Sequence, residues 1–294
     1  MYELIKISEH DYYIDCPTKI GLVIINENDV IAIDSGNDKD AGKKLLRHLD
    51  EHDWKLQAVY NTHSHADHIG GNKILQERTG CKIYATGLES VYTNYPELET
   101  MTLWGGFPFK DLKNKFLMAQ ESECFGLTSE VLPKGFEIIP LPGHSFDMVG
   151  FKTPDGNIFL ADCLSSEETL SKYGIGYLWH AGKYIETLEM VKTLNGNQFI
   201  PSHAVVTNNI QSLAQKNIDA VKKLLDTILS ICSSSAKTFD DLLHELFVSY
   251  GMAMNAVQYA LVGSTVRSCI SYLHSEGRLQ WICEDAYMKW QKVC

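Results

Sequence analysis

Four side chains able to bind a metal ion crowd into six residues of the segment Thr62-His63-Ser64-His65-Ala66-Asp67-His68-Ile69-Gly70-Gly71. The segment follows the apolar run Ala58-Val59-Tyr60 and precedes a glycine pair, the setting of a loop that leaves a strand. On an extended chain the alternate positions 63, 65 and 67 project to one side, while His68 turns in a neighbouring direction. The cluster is therefore expected to feed two adjacent ions rather than one. Three imidazoles and a carboxylate suit zinc, manganese or iron, and the lack of cysteine argues against a closed structural zinc site. The competing reading, a solvated loop with chance histidines, does not account for ligands at this density.

Short β-type runs should position this loop. Ile20 to Ile25 and Val30 to Asp34 flank a hairpin turn, Asp38 to Asp53 has a helical pattern, and Ala58 to Tyr60 delivers the histidines. Later β-runs end in further metal-capable residues: His144 after Leu141-Pro142-Gly143, Asp162 after Leu160-Ala161, and His203 after Pro201-Ser202. Alone, Asp162 or His203 reads as structural; their shared strand-end placement joins them to 63–68 in one site. Residues 88–132 interrupt the rhythm with an aromatic stretch that includes Trp104, Phe107 and Phe116. It reads either as a lid over the metals or as a packing or homodimer surface, and the residues leave both open. Beyond Asn209 the chain is mainly helical. Met254 to His274 reads as one or two helices, and Ser275 to Ile282 has a turn-strand pattern.

The chain of 294 residues has a net charge of −11, and residues 209–294 hold eight basic and eight acidic side chains. The whole deficit thus falls on the first 208 residues, which disfavours nucleic acid as a partner. The N-terminus lacks the pattern of a signal peptide, and no apolar run approaches a membrane span. The eight cysteines, without a Cys-x-x-Cys pair, read as reduced thiols. A cytoplasmic protein is expected, with no membrane partner. Cys163 reads as a core thiol rather than a nucleophile.

The segments Thr62 to His68, Gly143-His144-Ser145, Ala161-Asp162 and Ser202-His203 stand in the order of the metallo-β-lactamase superfamily, which the chain resembles over about residues 1–208. The resemblance implies an α/β protein, a four-layer αβ/βα sandwich with two divalent metal ions at one edge, zinc before iron or manganese. His63, His65 and His144 would bind the first ion, Asp67, His68 and His203 the second, and Asp162 both. The flavodiiron branch usually has a carboxylate where this chain has His65, so hydrolysis is favoured over redox chemistry. Residues 209–294 resemble the winged-helix-like domain of the branch that holds the mitochondrial β-lactamase-like proteins, while the metal site also resembles that of glyoxalase II-like enzymes.

The expected function is a metal-dependent hydrolase acting on an ester, thioester or lactone of a small to medium substrate. Two ions sharing a water lower its pKa to about 7, and Asp67 would orient the resulting hydroxide. Tyr177 and His180, and Trp104 and Phe107 in the insertion, are expected to contact substrate. The alternatives are an endoribonuclease or other phosphodiesterase, carried by the winged-helix resemblance, and a non-catalytic scaffold with a vestigial metal site.

Overall fold

The computed structural model describes residues 2–293. Strands β1 (Glu3–Lys6), β2 (Asp11–Asp15), β3 (Ile20–Asn26) and β4 (Asp29–Ile33) pair in sequence as an antiparallel meander. Helix α1 (Lys39–Glu51) begins where the Asp38 carboxylate accepts hydrogen bonds from the Asp40 and Ala41 amides, and it buries Ala41, Leu45 and Leu49. Strand β5 (Lys55–Tyr60) joins β4 in parallel, followed by a single helical turn α2 (Ala66–Ile69), then α3 (Asn72–Thr79) and β6 (Lys82–Ala85). The insertion supplies α4 (Gly87–Asn94), α5 (Glu97–Trp104) and β7 (Cys124–Gly126), and β7 completes a seven-stranded sheet ordered β1 to β7.

A second sheet of four strands has the order β11-β10-β9-β8, from β8 (Glu137–Pro140), β9 (Val149–Lys152), β10 (Ile158–Ser165) and β11 (Phe199–His203). Helices α6 (Glu167–Tyr173) and α7 (Ala181–Val191) lie between β10 and β11 in the chain. The tail forms α8 (Gln211–Ser234), α9 (Phe239–Ser249), α10 (Ala256–Ser275) and the hairpin β12 (Leu279–Glu284) with β13 (Tyr287–Lys292).

Alternation along the strands builds the layers. In β4, Val30 and Ala32 pack with Leu45 and Leu49 of α1, while Ile31 and Ile33 face the other way, toward Phe151 and Phe159 of the second sheet. In β10, Phe159 enters that middle layer, and Ile158 and Leu160 pack with Leu188 of α7 and Ile218 of α8. Helix, sheet, sheet and helix therefore stack as the expected four-layer α/β sandwich. The outer core on the α7 side does not stop at residue 208. It runs from Leu141 and Leu160 through Ile210 and Leu225 to Val266 and Leu279.

Three local expectations need correction. The 63–68 segment is not extended throughout, because α2 starts at Ala66 and puts Asp67 and His68 on a helical turn. Asp162 lies inside β10 rather than at its end, next to register shifts around Ala161. Part of the aromatic insertion is sheet, since β7 pairs with β6, while residues 256–275 form a single helix, within the expected one or two. Strand β1 and helix α6 carry too weak a pattern to be seen in the sequence. Cys16, Cys81, Cys124, Cys163, Cys232, Cys269 and Cys283 are free thiols, and Cys294 lies outside the described residues. Among the described residues no helix is long and apolar enough to cross a membrane.

Candidate metal centre

Five chain segments deliver the site to one edge of the sandwich. The loop after β5 carries His63 and His65, α2 carries Asp67 and His68, the turn after β8 carries His144, and β10 and β11 carry Asp162 and His203. Backbone features aim them. Gly71 approaches the β4–α1 loop so closely that a Cβ there would sit 2.3 Å from the Ser35 carbonyl oxygen. At Gly143, with φ +124, a Cβ would lie 2.4 Å from the Tyr184 nitrogen, so only glycine lets the chain turn His144 inward. Ala161 adopts φ 51 beside the β10 irregularity, a conformation that costs an L-residue energy and here redirects Asp162.

Hydrogen bonding fixes how most of the imidazoles present themselves. Asp34, at the end of β4, accepts from the Thr62 amide at 2.8 Å, the Thr62 hydroxyl at 2.8 Å and His68 Nδ1 at 2.7 Å. Because the Thr62 hydroxyl donates to Asp34, its oxygen is left to accept from His63 Nδ1 at 3.0 Å. His203 Nδ1 faces the Pro17 carbonyl at 2.9 Å, a group that can only accept. His63, His68 and His203 thus keep a proton on Nδ1 and turn Nε2 toward the site, the arrangement of metal-ligating histidines. His65 turns the other way: its Nδ1 lies 3.0 Å from both His63 Nε2 and His144 Nε2, and its Nε2 points at Glu99 Oε1, 3.7 Å away.

Two sets of donors result. His63, His65 and His144 form one, and Asp67, His68, Asp162 and His203 form the other, with the donor atoms of each set within 4.8 Å of one another. Asp162 spans them: Oδ1 is 3.1 Å from His68 Nε2, and Oδ2 is 3.2 Å from His203 Nε2 and 3.6 Å from His144 Nε2. Thr18 donates to Asp67 Oδ2 at 2.9 Å, and the same oxygen is 3.2 Å from His203 Nε2. The donor set fits divalent metal ions. Burial and the neighbouring imidazoles hold His63 well below the ordinary histidine range, and burial takes His65 down to about 3, so both are neutral ligands. Burial opposes ionisation of Asp162, but His203 and His68 outweigh it and keep the carboxylate anionic. His68 Nε2 and Asp162 Oδ1 are buried with no hydrogen-bond partner, as atoms aimed at a cation would be.

Buried Glu89, from α4, ties two ligand loops together. Its Oε2 accepts from the Ser64 amide at 2.9 Å and the Ser64 hydroxyl at 2.6 Å, and its Oε1 from Ser145 at 2.7 Å and the Asp147 amide at 3.0 Å. Asp34, Thr18 and Glu89 were missed in the sequence. Only Asp34, an acid ending an apolar strand, carries a local signal.

The donors open into a cleft of about 330 Å³ walled by Glu99, Phe116 and Leu117 of the insertion, Tyr177, and Gln258 and Leu261 of α10. Glu99 is buried in that wall, which pushes its carboxyl up to about 8. Tyr177 stands against His65 and His144, with ring centroids 5.1 and 5.7 Å apart. The other three expected substrate contacts lie elsewhere. His180 caps α7 by accepting from the Lys183 amide, Trp104 packs on Phe109, and Phe107 is 74% exposed beneath the Lys113 ammonium. Cys163 is wholly buried, and burial pushes its thiol up.

A histidine–carboxylate donor set in an αβ/βα sandwich, together with its family and relatives, places the chain in the class of metal-dependent hydrolases. The family model of the metallo-beta-lactamase superfamily matches residues 14–203, and the chain belongs to that superfamily. It is similar to the hydroxyacylglutathione hydrolase of Prochlorococcus marinus strain MIT 9301, 27% identical over 224 residues that span 70% of this chain and 77% of that protein. Among solved structures, a beta-lactamase domain protein from Burkholderia ambifaria aligns with TM-score 0.76 at 13% identity, covering 99% of this chain and 94% of that one. A metallo-beta-lactamase family protein from Thermus thermophilus aligns with TM-score 0.71 at 16% identity, covering 99% and 97%. At these identities the two structures show a shared fold, and their alignment includes the tail.

Proposed function

We propose that this chain is a dinuclear metal hydrolase that opens an ester, thioester or lactone of a small to medium substrate. The observation that carries the reading is the contact of Asp162 with both donor sets. His63, His65 and His144 would hold one divalent ion, Asp67, His68 and His203 a second, and Asp162 would lie between them. Zinc is the first candidate, since imidazole and carboxylate donors suit it. Bound there, such ions supply Lewis acidity and lower the pKa of a water to about 7.

The chain's own residues do the rest. Asp34, Thr62 and the Pro17 carbonyl keep three Nε2 atoms directed inward. Asp67, held by Thr18, accepts a proton or orients a water at its carboxylate. Leu117 and Leu261 give the cleft an apolar wall, with Phe116 at its exposed rim. Residues 209–294 serve as a wall of that cleft, and residues 88–132 as its other wall. The name of the Prochlorococcus relative, a hydrolase of an acylated thiol, agrees with attack at an acyl carbon.

Metal analysis and an activity panel of esters, thioesters, lactones, bis(p-nitrophenyl) phosphate and single-stranded RNA test the reading. Two equivalents of metal per chain are expected, with turnover confined to the acyl compounds. His65→Ala and Asp162→Ala should abolish turnover and leave the circular dichroism spectrum unchanged. Full activity with less than one equivalent of metal would overturn the assignment, and RNA cleavage lost in His65→Ala would move the reaction to phosphorus.

A further inference from the structure

We propose that the acyl part of the substrate is an uncharged aliphatic chain, seated in a crevice behind the metal ligands; the inference rests on the hydrolase reading above. A second cavity of about 80 Å³ lies between β10, the loop after α6, and α8. It shares His144, Asp162 and Tyr177 with the outer cleft, so it lies against the point where an acyl carbon would react. Leu170 stands where the two meet, and the inner wall is Leu178, Ala220, Val221 and Leu224.

The Asn217 amide and the Tyr184 hydroxyl in the crevice are already engaged. Asn217 accepts from the Ser165 amide at 2.9 Å and donates to the Ser165 and Leu213 carbonyls, each at 2.9 Å. The Tyr184 hydroxyl is spent on Asn217 Oδ1 at 3.4 Å. No lysine or arginine lines the crevice or the outer cleft, among the described residues. The titratable side chains apart from the ligand histidines are the carboxyl groups of Asp67, Glu99 and Asp162 and the phenols of Tyr173, Tyr177 and Tyr184, none of them a cation. A carboxylate or phosphate at the far end of the acyl chain would lose its water and gain no partner. A methylene chain loses nothing there and leaves water.

The test is the chain-length dependence of kcat/KM for p-nitrophenyl acetate, butyrate, hexanoate and octanoate, with the metal-loaded full chain. Burying one methylene is expected to raise kcat/KM about fourfold until the crevice is full. Ala220→Phe should pull the hexanoate-to-acetate ratio toward one, and Leu224→Ala should move the preference to longer chains. Opposite shifts from two α8 variants cannot come from general loss of folding. The adipate monoester, a hexanoyl chain ending in a carboxylate, should be turned over far more slowly than the hexanoate.

A flat chain-length profile with metal-dependent turnover would overturn the crevice assignment and leave the hydrolase reading intact. Calorimetric binding of octanamide against acetamide needs no turnover. Tighter binding of octanamide, lost in Ala220→Phe, supports the crevice even if every ester proves inert, in which case the hydrolase reading falls alone. Equal binding of the two amides overturns the proposal.

Discussion

At Asp34 one carboxylate fixes the proton positions of two ligand imidazoles, His68 directly and His63 through the Thr62 hydroxyl. Neither contact needs the carboxylate to touch a metal, yet both decide which ring nitrogen is free to bind one. Asp34→Asn is expected to weaken metal binding by about 10- to 100-fold, because an amide can present a donor where His68 needs an acceptor. Competition with a chelator measures this, and an unchanged affinity would remove Asp34 from the positioning role. His65 has no such clamp, since Glu99 stands 3.7 Å away, beyond a hydrogen bond.

Between elements, Glu89 is the clamp that joins α4 to the loops of His63–His65 and His144. Removing its carboxyl leaves Ser64, Ser145 and two amides without their acceptor. Glu89→Ala is expected to lower stability by about 2–4 kcal/mol in urea unfolding and to weaken metal retention with it. A change confined to stability would limit Glu89 to the fold. A different latch ties the β1–β2 turn to the β9–β10 hairpin, where His10 Nδ1 sits 3.0 Å from Asp155. The hydrogen bond to Asp155 raises His10. Burial opposes the ionisation of Asp155, but hydrogen bonds from Ser8 and His10 hold it lower. A raised histidine stabilises fully below its ordinary 6.5 and loses this as pH rises through its folded value. A lowered aspartate stabilises above its ordinary 3.8 and loses this as pH falls through its own. The latch is therefore at full strength between these two values. His10→Ala should flatten the decline in melting temperature above pH 6.5; the effect is small, under about 1 kcal/mol, because His10 is half exposed.

Across the whole molecule, one apolar core joins β10 and α7 to α8, α9 and α10. A chain cut after residue 208 would expose Leu160, Leu188 and Val191 to water. Such a fragment is expected to aggregate or to lack a cooperative melt, as gel filtration and calorimetry would show; a folded, monomeric fragment would make the tail an independent domain. The cut also removes Gln258 and Leu261 from the cleft wall. With a net charge of −11 and no cation lining the cleft among the described residues, the protein should bind single-stranded RNA no better at low salt than at physiological salt. Strengthening at low salt would restore nucleic acid as a partner.

The candidate metal donors were legible because their chemistry is local. His63 to His68 is dense, and His144 and His203 come after apolar runs that read as strands. Residue type and spacing were thus enough to expect two adjacent ions, while the four-layer sandwich was implied by the resemblance these motifs carry. Spacing misassigned the segment's geometry: an extended chain groups Asp67 with His63 and His65, and the helical turn at Ala66 sends it to the other set. Glu89 could not have been found, because it lies 25 residues from Ser64 and 56 from Ser145, a separation that only folding closes. Trp104 and Phe107 looked like cleft residues because aromatic side chains favour apolar surroundings, but packing placed Phe116 and Leu117 at the cleft instead. The sequence alone determined which residues can hold metal, since that depends on side-chain chemistry. The tertiary structure decided what lines the space beside them, since a cleft is made where α10, α5 and β10 meet, and no periodicity along the chain records that meeting.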